Sequence, residues 1–355
     1  MRVELLYGRG QLVLELPENL LVTTIRQQPM PVAPDPVGRL RESFRGGAGG
    51  RPLRDLARAC KTACVLICYI TRPVPHGTLL PPLIEELAAG GMSRDQLLVL
   101  VATGLHRPNE GAELREVIGS DAVFERARVA NHFARDREAH VDLGRTPSGI
   151  PIRVDRRFVE ADLRIAVGLV EPHFMAGYSG GRKLVVPGIA HSETIFKLHA
   201  GVILDDARAA NAVIAGNPVH EEQLHMVRAA GEILALNVVI DEERRIGFVN
   251  FGPIEESHLE AVAFARLYSE VPVARRFKTV LTTSAGYPLD KTYYQTIKGM
   301  VGVLDILDPG GTIVIASECS EGMGSPEFVE AQRALCRLGP ERFMAEVIAR
   351  NHARI

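Results

Sequence analysis

From residue 63 onward the chain alternates short, unbroken apolar runs with longer segments whose apolar positions recur at helical spacing. The runs cover residues 63–67, 97–101, 163–169, 236–240, 279–283 and 312–316. A strand with one wet face alternates polar and apolar residues, whereas an unbroken apolar run is buried on both faces. Between the runs, residues 82–89, 220–233 and 257–267 predict helices. Apolar strands alternating with helices specify a parallel sheet covered on both sides, an α/β fold. Ahead of this region, residues 3–6 and 12–16 do alternate and flank the turn Tyr7-Gly8-Arg9-Gly10, which predicts a β-hairpin. A proline-rich stretch over 28–36 reads as extended linker, and Gly46-Gly47-Ala48-Gly49-Gly50 as a flexible break. The pattern weakens over 271–276, which predicts a large α/β domain over 1–270 and a smaller one over 271–355. Residues 341–355 read as a closing helix.

Composition narrows the partners. The 355 residues are 46% hydrophobic and 24% charged, an ordinary globular mix and enough for two domains at roughly 150 residues each. Forty-one basic against 43 acidic side chains leave a net charge of -2, which argues against nucleic acid or an anionic membrane as partner. No apolar stretch is long enough to span a bilayer and the N-terminus lacks a signal-peptide core, so a cytoplasmic location is expected. Cys60, Cys64 and Cys68 are spaced by three residues, like metal ligands. They bracket an apolar run, however, and buried thiols behave as small hydrophobes.

In open α/β sheets, ligands bind beyond the carboxyl ends of the strands. The exit after 63–67 carries Thr71-Arg72-Pro73 and His76; that after 97–101 carries Thr103-Gly104-Leu105-His106; that after 163–169 carries Glu171-Pro172-His173; that after 279–283 leads to Asp290-Lys291. One histidine at a strand end is commonly structural. Two at corresponding exits, His106 and His173, suggest acid/base work near neutral pH. The segment Ala176-Gly177-Tyr178-Ser179-Gly180-Gly181-Arg182-Lys183 combines pliable backbone with two cationic heads that suit an anion, without Walker A spacing. Farther on, Gln295 and Lys298 share a face if 291–299 opens a helix, and could grip a carboxylate and a hydroxyl. These residues point to an enzyme acting on a small anionic substrate. A zinc hydrolase with His106, His173 and His199 as ligands stays open at this level.

The order of motifs resembles the nickel-dependent lactate racemase family, which racemises or epimerises 2-hydroxy acids. The matching pieces are Thr71-Arg72-Pro73, Thr103 to Pro108, Pro172-His173 through Gly188, His199, Gly216-Asn217-Pro218-Val219-His220-Glu221, and Tyr294-Gln295-Thr296-Ile297-Lys298. The resemblance implies two Rossmann-like α/β domains with the active site between them. It implies a nickel pincer nucleotide, Ni(II)-pyridinium-3,5-bisthiocarboxylic acid mononucleotide, held covalently on Lys183, with His199 as the protein ligand of nickel. His106 and His173 would be the opposed acid/base pair. Thr71, Arg72, Ser179, Gly180 and Gly181 would line the cofactor, and Arg72, Tyr294, Gln295 and Lys298 the 2-hydroxy acid. Cofactor-making proteins would be transient partners, and chain made without them would lack the nucleotide. Three residues before the arginine, where lactate enzymes of the family carry aspartate, stands Tyr69. That departure implies a different 2-hydroxy acid, altered cofactor contacts or a non-catalytic cofactor carrier.

Overall fold

The computed structural model describes residues 1–46 and 50–349, so 47–49 of the predicted glycine break and 350–355 of the predicted closing helix lie outside the described residues. The chain divides into two compact units, Pro29–Ser269 and a second made of Met1–Gln28 with Glu270–Ile355.

The larger unit is built on a six-stranded sheet. Its spatial order is Ile246–Pro253, Leu234–Ile240, Leu163–Leu169, Ala63–Cys68, Leu97–Ala102, Arg128–Asn131. The last five strands are mutually parallel, and Ile246–Pro253 closes one edge antiparallel to Leu234–Ile240. In this unit the unbroken apolar runs are buried on both faces, because alternate side chains feed two separate cores; the runs over 279–283 and 312–316 are not, and Val314 is 48% exposed. Val65, Ile67, Val99, Val101, Ile165 and Val167 join Leu40, Phe44, Leu79 and Leu83 on one side. Cys64, Leu66, Leu98, Leu100 and Ala166 join Phe158, Val185, Ile195 and Met226 on the other. The cysteines are accounted for here: all five are free, and burial pushes the Cys68 thiol up to about 11.

Chain order across this sheet sets the position of the site. From Ala63–Cys68 the chain moves outward to Leu97–Ala102 and Arg128–Asn131. It then returns to place Leu163–Leu169 on the other side of Ala63–Cys68 and continues to Leu234–Ile240. The direction of winding therefore reverses between Ala63–Cys68 and Leu163–Leu169. In open α/β sheets, the crevice beyond the carboxyl ends of two such strands is where ligands bind.

The second unit pairs the hairpin Arg2–Tyr7/Gly10–Glu15 with a parallel pair, Phe277–Thr283 and Leu307–Ala316. The hairpin forms as its alternation predicts, but it groups with the C-terminal residues rather than with the large unit. Its turn explains why: Asp290, fully buried, accepts from Gly8 N–H at 2.7 Å, and Tyr287 N–H donates to Gly8 O at 2.7 Å. Helices Tyr293–Val301, Pro326–Leu338 and Pro340–Ala349 complete the described part. Among the described residues, no helix is long and apolar enough to cross a membrane.

Candidate active site

At Cys68 the apolar run ends and the chain turns through Tyr69, Ile70, Thr71 and Arg72. The Arg72 guanidinium reaches across the crevice to the Glu171 carboxylate, which leaves the neighbouring strand at the same level. The loop is fixed by Asn109, whose side-chain oxygen accepts from Ile70 N–H at 3.2 Å while its own N–H donates to Asn131 at 3.0 Å. That arrangement ties the first exit to the second, where the Tyr69 ring stacks on the His106 imidazole with centroids 4.6 Å apart and planes 24° from parallel. The Thr71 hydroxyl is buried without a partner among the described residues.

The third exit supplies His173, which is buried. Its Nδ1 faces the N–H groups of Met175 and Ala176 at 3.4 and 3.3 Å, and its Nε2 lies 3.0 Å from Lys183 Nζ. The glycine segment makes this contact possible. Gly180 and Gly181 have φ of +76° and +47°, and a Cβ on Gly181 would lie 2.9 Å from the His258 ring. Only glycine fits a backbone both left-handed and this close to a neighbour. The turn then launches the short helix Arg182–Val185. Gly104 N–H donates to Gly188 O at 2.9 Å, so the second exit and the end of the glycine segment are also joined.

Two residues of this segment behave differently from their sequence reading. Ser179 turns its hydroxyl inward, donating to Leu169 O at 2.8 Å and accepting from Glu171 N–H at 3.1 Å, so it braces the crevice wall. Arg182 is not a cationic head offered outward beside Lys183. It is 1% exposed, and its guanidinium donates to Ala176 O at 2.7 Å and Tyr178 O at 3.2 Å beneath the turn. Ala176 O also accepts from Tyr178 N–H at 2.9 Å, so the arginine adds a second donor there and ties the two carbonyls of the turn together.

His199 ends the helix Ser192–Leu198 and is half-buried. Burial and then the nearby Lys183 ammonium push its imidazole down to about 4, so it is a neutral donor at physiological pH. His106, His173 and His199 do not make a three-histidine metal cage: among the described residues, no group of three or more His, Cys, Asp or Glu is placed to hold a metal.

In the second unit, Thr292 caps the helix Tyr293–Val301 by accepting from Gln295 N–H. Gln295 is buried, and its side-chain oxygen accepts from the Lys298 ammonium, which lies 5.8 Å from the Tyr294 ring centroid. Tyr294, Gln295 and Lys298 thus converge on one helical face, the spacing of three residues doing what it predicts.

Three residues that shape this region have partners that no local pattern of the sequence reveals. Glu171 sits at a strand exit, two positions before His173, yet only the adjacency of the two strands reveals its pairing with Arg72. Asn217 caps the helix Pro218–Ala229 and also donates to Met175 O and Val213 O, both at 3.0 Å, fastening the His173 loop. His258 packs against Gly181 from a helix 77 residues downstream, with no local signal to mark it.

Two family models match the chain: the lactate racemase N-terminal domain over residues 7–211 and the lactate racemase C-terminal domain over 274–354. A lactate racemase from Thermoanaerobacterium thermosaccharolyticum is 33% identical over 328 residues, covering 92% of this chain and 76% of that protein. One from Lactiplantibacillus plantarum is 33% identical over 289 residues, covering 81% and 68%. The lactate racemase apoprotein structure from T. thermosaccharolyticum superposes with a TM-score of 0.86 at 31% identity, over 99% of this chain and 83% of that one. A structural-genomics protein from Thermotoga maritima shares the fold, with a TM-score of 0.60 at 20% identity over 82% and 80%.

Proposed function

The chain belongs to the lactate racemase family, and from that membership we propose that it interconverts the two configurations of a 2-hydroxy acid at C2, using a nickel pincer nucleotide carried on Lys183. The observation that carries this reading is the 3.0 Å contact between Lys183 Nζ and His173 Nε2 at the switch point of the sheet. It puts a nucleophilic amine and an acid/base group side by side where the fold binds ligands.

The residues present suit such a group. Gly180 and Gly181 keep the backbone beside Lys183 bare, His199 offers a neutral imidazole to a metal, and the Thr71 hydroxyl is buried and unpartnered among the described residues. When bound, the nucleotide supplies the acceptor and donor of the C2 hydrogen as hydride. The chain does the rest. In one direction His173 takes the hydroxyl proton of one enantiomer and His106 gives a proton to the oxygen of the other; the roles exchange in the reverse direction, and proton exchange with water resets the pair between turnovers. Tyr69, stacked on His106, fixes the plane of that imidazole. Arg72 offers its planar fork to the substrate carboxylate while Glu171 pins its other edge. In the second unit, Gln295 and Lys298 offer an amide and an ammonium suited to the carboxylate and hydroxyl of a 2-hydroxy acid.

The test uses chain co-expressed with cofactor-making proteins and a panel of 2-hydroxy acids deuterated at C2, lactate and larger members included. Chiral chromatography and mass spectrometry should show interconversion of at least one member with the deuterium retained at C2. Washout of the label into water would replace hydride return by proton abstraction. Inertness of the nickel-loaded chain toward every member would remove the racemase reading.

A further inference from the structure

Each of the two histidines that the proposed reaction uses as acid and base lies against the face of an aromatic ring. Tyr69 stacks on His106 with centroids 4.6 Å apart and planes 24° from parallel. Phe174 stacks on His173 at 4.8 Å and 30°. The two stacks arise differently. Phe174 is the chain neighbour of His173, whereas Tyr69 reaches His106 from the exit of the adjacent parallel strand. The Tyr69 ring is half-buried and packs against the apolar core that holds Val65, Ile67 and Val101, and Asn109 fixes the next peptide through Ile70 N–H. His106 is exposed on a tight turn, its backbone N–H donating to Thr103 O at 3.0 Å. The core therefore fixes the tyrosine, and the tyrosine presents a face to the histidine.

The face of a phenol ring is negative and its edge positive. A neutral imidazole gains little from that face, but a cation within about 6 Å of the centroid is attracted to it. The stack therefore favours the imidazolium over the imidazole and raises the pH at which His106 releases its proton. The charged side chains on the two exits that meet here are paired: Arg107 with Glu113 at 2.6 and 2.9 Å, and Arg72 with Glu171. Glu110 adds a negative charge two residues beyond Pro108. Lys183 adds a positive one in the unloaded chain, on the segment joined to this exit by Gly104 N–H and Gly188 O. These charges act on His106 whatever stands at position 69, so the π face is the contribution of Tyr69 alone.

We propose that Tyr69 is a positioning residue that stabilises the protonated form of His106 through its π face, a role that rests on His106 being an acid/base group of the racemase reaction. At an exposed site the contact raises the ratio of charged to neutral His106 about two- to five-fold. It favours His106 as the partner that gives a proton to the substrate oxygen while His173 takes one. Phe174 offers His173 the same kind of face, so the reverse direction also passes through a stabilised imidazolium.

The test needs neither cofactor nor substrate. The full unloaded chain, labelled with carbon-13 at histidine Cε1, is titrated by NMR, and the His106→Gln variant identifies the His106 signal. Its midpoint should fall by about 0.4–0.7 pH units in Tyr69→Leu, which removes the π face. In Tyr69→Phe, which keeps the face, it should fall by less than half as much. A midpoint that is unchanged or raised in Tyr69→Leu overturns the proposal, and so do equal falls in the two variants. Should Tyr69→Leu fail to fold, Tyr69→Met takes its place in the same titration, with the same outcomes. An unchanged midpoint in a chain that racemises when loaded refutes the role of Tyr69 and leaves the reaction standing. A shifted midpoint in a chain that is inert when loaded removes the racemase reading, and this role with it.

Discussion

Gly181 offers the sharpest test of how the loop that leads to Lys183 is built, through the substitution Gly181→Ala. Its φ of +47° lies where L residues are strained, and an added Cβ would lie 2.9 Å from Cγ and Cδ2 of His258 and 3.0 Å from its Cβ. The backbone strain costs about 1–2 kcal/mol. The overlap costs about 1–3 kcal/mol more, because His258 is itself locked against Arg182 and Ser179 O. Alanine returns about 0.4–1 kcal/mol by restricting the unfolded chain. The net loss is therefore about 2–4 kcal/mol. Gly149→Ala is the control: that glycine has φ +85° and an added Cβ would meet nothing within 4 Å, so it reports strain alone and should cost about 1 kcal/mol or less. Native-state hydrogen exchange of the core strand Leu163–Leu169 reads the opening free energy of the Pro29–Ser269 unit for each variant. Equal losses at the two positions would refute the claim that His258 dictates glycine at 181.

Other consequences follow from the same packing. Burial holds the His76 imidazole, whose Nδ1 lies 2.9 Å from Val117 O, down at about 4 against 6.5 for the ordinary residue. Between those values the unfolded chain binds a proton that the folded chain refuses, so stability falls as pH drops through that window and levels off below it. From pH 7.5 to 4.5 this one group accounts for about 2.5 kcal/mol, at about 1.36 kcal/mol per pKa unit. Urea titrations at both pH values should show that much less acid sensitivity in His76→Gln; an unchanged difference contradicts the assignment. Asn217→Ala removes the cap to Val219 and His220 and orphans the carbonyls of Met175 and Val213, costing about 2–4 kcal/mol of unfolding free energy. Arg72→Lys keeps the charge but loses the fork, so KM for the 2-hydroxy acid should rise about ten-fold or more in steady-state assays of loaded enzyme while kcat changes less.

The sheet is legible where its inner parallel strands are apolar and buried: the run over 163–169 is the strand Leu163–Leu169 to the residue, and 63–67 gains only Cys68, whereas the parallel edge strand Arg128–Asn131, with Arg128 exposed, carries no such run. The antiparallel edge Ile246–Pro253 lacks that signature because Gly247, Asn250 and Gly252 interrupt its apolar pattern. The helix expected from Pro82 begins at His76, with Pro81 and Pro82 inside it. Packing of Leu79, Leu80 and Leu83 into the core outweighs the cost of two prolines. The hairpin is legible as local structure, but its attachment through Asp290 joins residues 282 apart, which no local pattern encodes. The site shows the same division. Strand exits and motif order point to His106, His173 and Lys183, all of them local features. The pairing of Arg72 with Glu171, 99 residues apart, and the burial of Arg182 under His258, 76 apart, depend on which strands and helices become neighbours.

The claim that Lys183 carries the cofactor can be read directly from mass. Chain co-expressed with cofactor-making proteins, purified and digested, should yield the Lys183 peptide with the mass of the pincer nucleotide, alongside roughly one nickel per chain. Lys183→Arg should carry neither the adduct nor the metal. An unmodified Lys183 peptide in chain that nevertheless holds stoichiometric nickel, or an adduct on any other lysine, would contradict the account.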